Sequence, residues 1–292
     1  MRSRHRTLAI AAPFAWMLAF FLAPLAIVLK ISFSESTAER PPYASLFEMS
    51  TDGIAFQPSV SAYLLLFSDS LYFDAFLGSL RIAAVSTFVC LLIGLPMAYV
   101  IARSSPERRN LLVLLVMLPF WTSFLIRVYA WMALLKPTGI LNNVLISLGI
   151  VGEPLSLMNN DFAVHLGIVY SYLPFMVLPI YAALEKMDWT LVEAAADLGC
   201  RPSRIFFAVT MPLCWHGIAA GSLIVFIPAA GEFVIPDLLG GPDTLMVGRV
   251  LWTEFFINRD WPAAAALTIA MLSVLLLPIL AFQRMGVETD RP

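Results

Sequence analysis

Residues 185–212 read EKMDWTLVEAAADLGCRPSRIFFAVTMP and lie between two long apolar runs, residues 163–184 and 213–235. Thr190, followed three positions later by Glu193, has the form of a capping box, which predicts a helix start at that point. Ala194, Ala195 and Ala196 are strong helix formers. Gly199 suits the left-handed residue that closes a helix, and Pro202 forbids simple continuation. Ser203 is expected to cap a second short helix, bounded by Pro212. The segment therefore reads as helix–turn–helix. The alanines let another backbone come close, and with Leu191, Ala194, Ala195 and Leu198 on adjoining faces the first helix suits a partner's groove.

The flanks decide what this loop is attached to. Of the 292 residues 60% are hydrophobic and only 13% charged, against about a quarter charged in soluble domains. One soluble core of this size cannot hide that much apolar surface; lipid removes the difficulty. Six runs approach the roughly 20 residues that a bilayer core requires: residues 8–29, 82–102, 111–135, 163–184, 213–235 and 263–282. The first follows Arg2, Arg4 and Arg6. It is long for a signal peptide and lacks a clean A-x-A site, so an uncleaved span is expected. Prolines 24, 96, 119, 174, 228 and 278 lie within the runs, which a bundle tolerates because neighbours satisfy the freed backbone groups. The expectation is an all-α integral membrane protein, one six-span domain over residues 1–292. Residues 34–58 read as an irregular loop with turn signals at Pro41-Pro42 and Asp52-Gly53, and residues 61–80 as an amphipathic helix in the outer interface.

Orientation follows from the basic residues. With the N-terminus inside, Arg2, Arg4, Arg6, Arg103, Arg108, Arg109, Lys186, Arg201, Arg204, Arg284 and Arg291 are cytoplasmic, eleven in all, against five outside: Lys30, Arg40, Lys136, Arg249 and Arg259. Both termini are thus expected in the cytoplasm. Twelve acids fall outside, an anionic face that favours a cationic solute or a basic docking partner.

Several function classes drop away. A net charge of −2 without a basic tract gives no reason to expect nucleic acid. Cys90, Cys200 and Cys214 form no C-x-x-C pair and read as apolar filler, and His5, His165 and His216 lack zinc spacing. No H-E-x-x-H or G-x-S-x-G occurs, so no catalytic residue, metal or cofactor is expected. No G-x-x-x-x-G-K-[ST] occurs either, so an energised version of this protein would take its ATP site from a partner. An ion channel is the rival from another class, and would need no ATPase; a membrane-embedded enzyme is a third.

The spacing of the loop separates these. Glu193-Ala194-Ala195, three residues, Gly199, nine residues, then Val209-Thr210-Met211-Pro212 resembles the EAA loop of ABC importer permeases, whose pattern ends I-x-L-P; Val209 and Met211 replace Ile and Leu with similar side chains. The resemblance implies the type I importer permease fold. It also implies that Glu193, Ala194, Ala195, Gly199, Arg201, Pro202 and Pro212 meet a cytoplasmic ATPase. It continues through LPFWTSFLIRVYAW (residues 118–131), YLPFMVLPIY (residues 172–181), VFIPAAGEFVIPDLLGGPD (residues 225–243) and NRDWP (residues 258–262), which are similar to polyamine importer permeases, the putrescine-transporting type nearest and the spermidine-preferring type next. Phosphonate, thiamine, opine and ferric-ion systems use related permeases. The family implies two copies of an ATPase that binds the ATP, a second related permease, a periplasmic polyamine-binding protein, and a place in the bacterial inner membrane.

Glu232 lies in the fifth run, between Gly231 and Phe233 and bracketed by Pro228 and Pro236. An acid at membrane depth is a functional candidate, and interrupted helices carry solute contacts in transporters. Two readings stand: Glu232 meets a diamine ammonium in the pathway, or it is hydrated or salt-bridged to Arg127 or Arg249. Arg127, in the third run, is expected to be a structural ion-pair member. Trp121, Tyr129 and Tyr172 offer aromatic faces to ammonium groups, though such residues also gather at membrane interfaces. Asp237, Asp243 and Glu254 lie on the outer side with two readings: reception of the solute or docking of a binding protein, and, the better one for any single residue, ordinary solvated loop acids.

Overall fold

The structure, a computed structural model, describes residues 10, 11, 13–50 and 53–289, without the side chains of residues 47–55 and 285–289. Arg2, Arg4, Arg6, Arg291, Asp52 and the first two residues of the expected first span lie outside that description. Helices dominate. Five are long and apolar enough to cross a membrane, or six when a bent pair counts as one span.

In chain order the elements are α1 (Pro13–Ser32), strands β1 (Phe47–Ser50) and β2 (Gly53–Phe56), α2 (Ser61–Ser68), α3 (Ser70–Arg103), α4 (Pro106–Met117), α5 (Phe124–Leu135) and α6 (Ile140–Ser147). There follow α7 (Asp161–Glu185), α8 (Thr190–Asp197), α9 (Pro202–Leu213), α10 (Trp215–Ala230), α11 (Val234–Leu239), α12 (Val247–Trp252) and α13 (Trp261–Thr289).

Four expectations need correction. The loop at residues 34–58 contains an antiparallel hairpin in which Phe47 faces Phe56 and Ser50 faces Gly53, so Gly53 begins a strand rather than sitting in an irregular loop. Residues 61–80 are not one interfacial helix: Asp69 has extended backbone, and Ser70 already begins α3. The third run is broken. Leu118–Trp121 is a 3₁₀ turn, and Thr122 is extended. Pro119 cannot donate a backbone hydrogen bond, and its carbonyl accepts from the Thr122 hydroxyl at 2.8 Å and the Thr122 amide at 3.3 Å, closing the turn. The fifth run is broken at both ends, with a 70° bend between α9 and α10 and a second interruption between α10 and α11.

Of three stretches of π-helix among the described residues, Leu18–Leu22 and Phe206–Thr210 each end two residues before a proline, Pro24 and Pro212; the third, Thr253–Asn258, does not. A proline ring blocks the carbonyl four residues back, and the wider π turn accommodates it.

The contacts divide the chain into two units. The first comprises residues 1–74 and 250–274. In it the Ser32 and Tyr63 hydroxyls lie 2.8 Å apart, Phe255 stacks on Trp261, and Glu254 is buried, accepting from Tyr72 OH and Asn258 Nδ2 at 3.0 Å each. Glu254 is thus a satisfied interior acid, not a solvated one.

The second unit, residues 75–249 and 275–292, has its core where α3, α7 and α10 meet. Cys90, Ala98, Ile101, Met176, Ile180 and Val225 are among its buried residues. Two glycines bring α10 onto α7: a Cβ on Gly217 would stand 2.6 Å from the Ala183 Cβ and 2.7 Å from the Pro179 carbonyl, and one on Gly221 3.1 Å from the Met176 carbonyl. Small residues four apart are the usual device for close helix contact in lipid. Gly217→Val is therefore expected to destabilise the detergent-purified protein by about 1–3 kcal/mol, the usual range for overpacking. A thermal melt checks this; an unchanged melting temperature would mean that α10 and α7 are not in that contact.

Candidate functional site: the polar loop and the buried acid

Asp188 starts the loop's first helix. Its carboxylate accepts from the Thr190 amide at 3.0 Å and the Thr190 hydroxyl at 2.8 Å, and these bonds, the hydroxyl first, hold the Asp188 carboxyl below its ordinary range. The expected capping box is absent: the α8 N-cap has no side-chain hydrogen bond, and Glu193 is exposed in the first turn. The carboxylate two residues upstream has taken the capping role.

The helix end follows the sequence closely. Gly199 has φ +77°. Its amide donates to the Ala196 carbonyl at 2.9 Å, and the Cys200 amide to the Ala195 carbonyl at 3.2 Å. This is the Schellman arrangement, which satisfies terminal carbonyls and requires the left-handed conformation that glycine adopts freely. Arg201 is the extended N-cap residue of the next helix, with Pro202 at its first turn; Ser203 makes no cap. Glu193, Ala194, Arg201, Pro202 and Pro212 are exposed, with Ala195 half-buried. Leu198 is 85% exposed, an apolar residue standing free in a polar segment. Trp189 anchors the loop, its ring edge-on to Tyr99 and under the Arg103 guanidinium at 5.1 Å. Beside it, Arg109 joins Glu185 at 3.2 Å and the Ala102 carbonyl at 3.1 Å, and so ties α4 to the ends of α3 and α7.

Glu232 occupies the break between α10 and α11 and is 9% exposed. Tyr172 OH donates to Oε2 at 2.5 Å, and the Phe233 and Val234 amides donate to Oε1 at 3.1 Å each. The side chain thus takes two of the amides that α11 cannot satisfy internally. Its backbone is confined too: a Cβ on Gly248 would stand 2.5 Å from the Glu232 carbonyl.

The structure joins Tyr172 and Phe233 to Glu232 but not the rest of the expected set. Trp121, 77% exposed, and the exposed Tyr129 share no hydrogen bond or ring contact with Glu232 among the described residues. Arg127 does not pair with Glu232. Its guanidinium lies 5.6 Å from the Phe120 ring and 5.8 Å from Phe124. Arg249 reaches Asp237 at 3.7 Å and the Gly241 carbonyl at 3.1 Å instead. Phe120 and Phe175 are additions. Phe120 meets Phe175 edge-on at 4.8 Å, and Phe175 lies 6.2 Å from Tyr172, so a row of rings leads from Arg127 to the buried acid. The three-residue spacing of Tyr172 and Phe175 was the signal that puts both on one helix face.

Residues 90–285 match the family described as binding-protein-dependent transport system inner membrane component. The chain belongs to this family. It is a non-catalytic, membrane-spanning permease subunit of an importer. The spermidine/putrescine transport system permease protein PotB of Haemophilus influenzae is 39% identical over 97% of this chain and 95% of its own length. PotB of Escherichia coli is 42% identical over 74% of this chain and 78% of its own. In fold, the chain is similar to a permease of a bacterial alginate ABC transporter solved with an alginate-bound periplasmic protein, with a TM-score of 0.72 at 16% identity over 99% of this chain and 98% of that one. The architecture is the type I importer permease fold.

Proposed function

We propose that the chain is the permease of an ATP-driven importer of putrescine or a closely related polyamine, working by alternating access. The observation that carries the solute class is Glu232, a buried carboxylate in the interruption of an apolar helix, held by a tyrosine on a row of aromatic rings. A carboxylate with an aromatic face beside it suits an ammonium group, and half-helix ends at a break are where transporters place solute contacts. The PotB relatives carry spermidine/putrescine in their names, which supports the same class. In this reading Glu232, Tyr172 and Phe233 contact the solute, with Trp121 and Tyr129 nearer the approach.

The loop is the coupling element. Glu193, Ala194, Ala195, Gly199, Arg201, Pro202 and Pro212 dock on one of two ATPase copies, with Leu198 as the apolar knob. ATP binds to those partners and the permease needs no cofactor. Closure of the ATPases pushes α8 as a rigid piece, and the spans respond. A second, related permease completes the pathway, a periplasmic binding protein delivers the solute, and both termini face the cytoplasm.

Uptake of labelled putrescine by cells with and without this gene tests the reading. Gene-dependent uptake displaced by spermidine but not by amino acids or phosphonates is expected. Absence of gene-dependent uptake with the complex assembled would move the solute to another class.

A further inference from the structure

Arg127 has no counter-charge among the described residues. Its Nε and Nη1 atoms are shielded from solvent and have no acceptor among the described residues. Rings flank it, but a cation–π contact returns only about 0.5–2 kcal/mol, less than the several that an unpaired charge costs inside a bilayer. The acids of its own unit that might have met it are otherwise engaged: Glu232 with Tyr172 and two amides, Asp161 with Arg81 and Thr244, Glu185 with Arg109, Asp237 with Arg249. Around this shielded charge the surface is open and apolar. Trp121, Leu125, Ile126 and Tyr129 are all exposed, Ile126 at 66%. Arginine among exposed aromatic and aliphatic side chains is a composition enriched at protein interfaces.

We infer that Arg127 receives a carboxylate from the second permease, and that the exposed side of α5 is part of the surface between the two chains. This rests on the pairing of two permeases proposed above. A polyamine cannot fill the vacancy, since it repels the guanidinium. A lipid phosphate is the competing acceptor, since Arg127 is only three residues, about 4.5 Å, from the start of α5 at Phe124, and the crosslink below tells the two apart.

The test uses the whole importer, purified through a tag on its ATPase, with a photoreactive benzoylphenylalanine in place of Ile126 so that Arg127 is untouched. The expected crosslink is to a membrane span of the second permease carrying an aspartate or glutamate. Arg127→Glu should then lower uptake at least about tenfold, about 1.4 kcal/mol, exchange of the identified acid for arginine should restore much of it, and Arg127→Lys should keep most activity. Crosslinks confined to lipid or to this chain, with the second permease present in the preparation, would overturn the inference alone. A purified complex without any second permease would overturn the pairing and the inference with it.

Discussion

A Gly199→Leu variant is expected to reach the membrane at close to the wild-type level and yet lose most ATP-driven uptake. The two halves of that result have separate causes. A Cβ at Gly199 meets nothing within 4 Å, so no packing is disturbed and the cost falls on the backbone of the turn. The φ of +77° is the difficulty. Left-handed backbone costs an ordinary L-residue about 1–2 kcal/mol, enough to depopulate the Schellman turn by a factor of about 5–30. With the turn goes the fixed angle between α8 and α9. Gly199→Asn separates conformation from contact, since asparagine tolerates this region. It should retain more uptake than Gly199→Ala if the turn is what matters. Equal, wild-type uptake in all three variants, measured with ATPase activity in the same vesicles, would remove the coupling role.

The second large effect is expected at Glu232. Gln in its place keeps an oxygen for the Phe233 and Val234 amides but loses the charge. Charge-assisted bonds are roughly twice as strong as neutral ones, so a stability loss of about 1–2 kcal/mol is expected from the weakened cap. Uptake should fall further, by about tenfold or more, because the counter-charge for an ammonium is gone. Tyr172→Phe leaves the carboxylate and its two amide bonds in place and should act more mildly. Melting temperature and uptake kinetics, read on the same preparations, distinguish the two effects. A large fall in stability with unchanged uptake per folded complex would make Glu232 a helix cap and nothing more.

The helical content and the membrane class were legible because they rest on composition and on runs near 20 residues, which no local detail overrides. Gly199 was legible for a similar reason: only glycine accepts its backbone without strain, and the alanines before it supply the carbonyls that the turn needs. The start of the same helix was not. Thr190 and Glu193 fit a capping box, but Asp188 offers a carboxylate at a competing position, and sequence spacing does not rank the two. The breaks were underread. Pro119 was treated as tolerated within a span, as Pro96 and Pro174 are, yet Pro119 precedes Thr122 and Ser123, whose side chains compete for backbone groups. Gly217 and Gly221 form a G-x-x-x-G that was open to view, and the structure uses it where α10 meets α7. The partner of Arg127 could not be read, because the nearest acid in sequence logic, Glu232, spends both oxygens on Tyr172 and on the start of α11.

The π turn at Phe206–Thr210 has a consequence for how this stretch of chain keeps phase. A π turn holds one residue more than the α turn it replaces, and one residue is about 100° of rotation. A helical wheel drawn straight through residues 202–213 therefore assigns the wrong side to everything on one flank of the bulge. The extra residue acts as an angular offset between the loop segment before it, proposed above to dock on the ATPase, and the apolar segment after it. Substitutions there leave the offset in place, whereas loss of a single residue would turn the loop side of the bulge by about 100° relative to the residues after it.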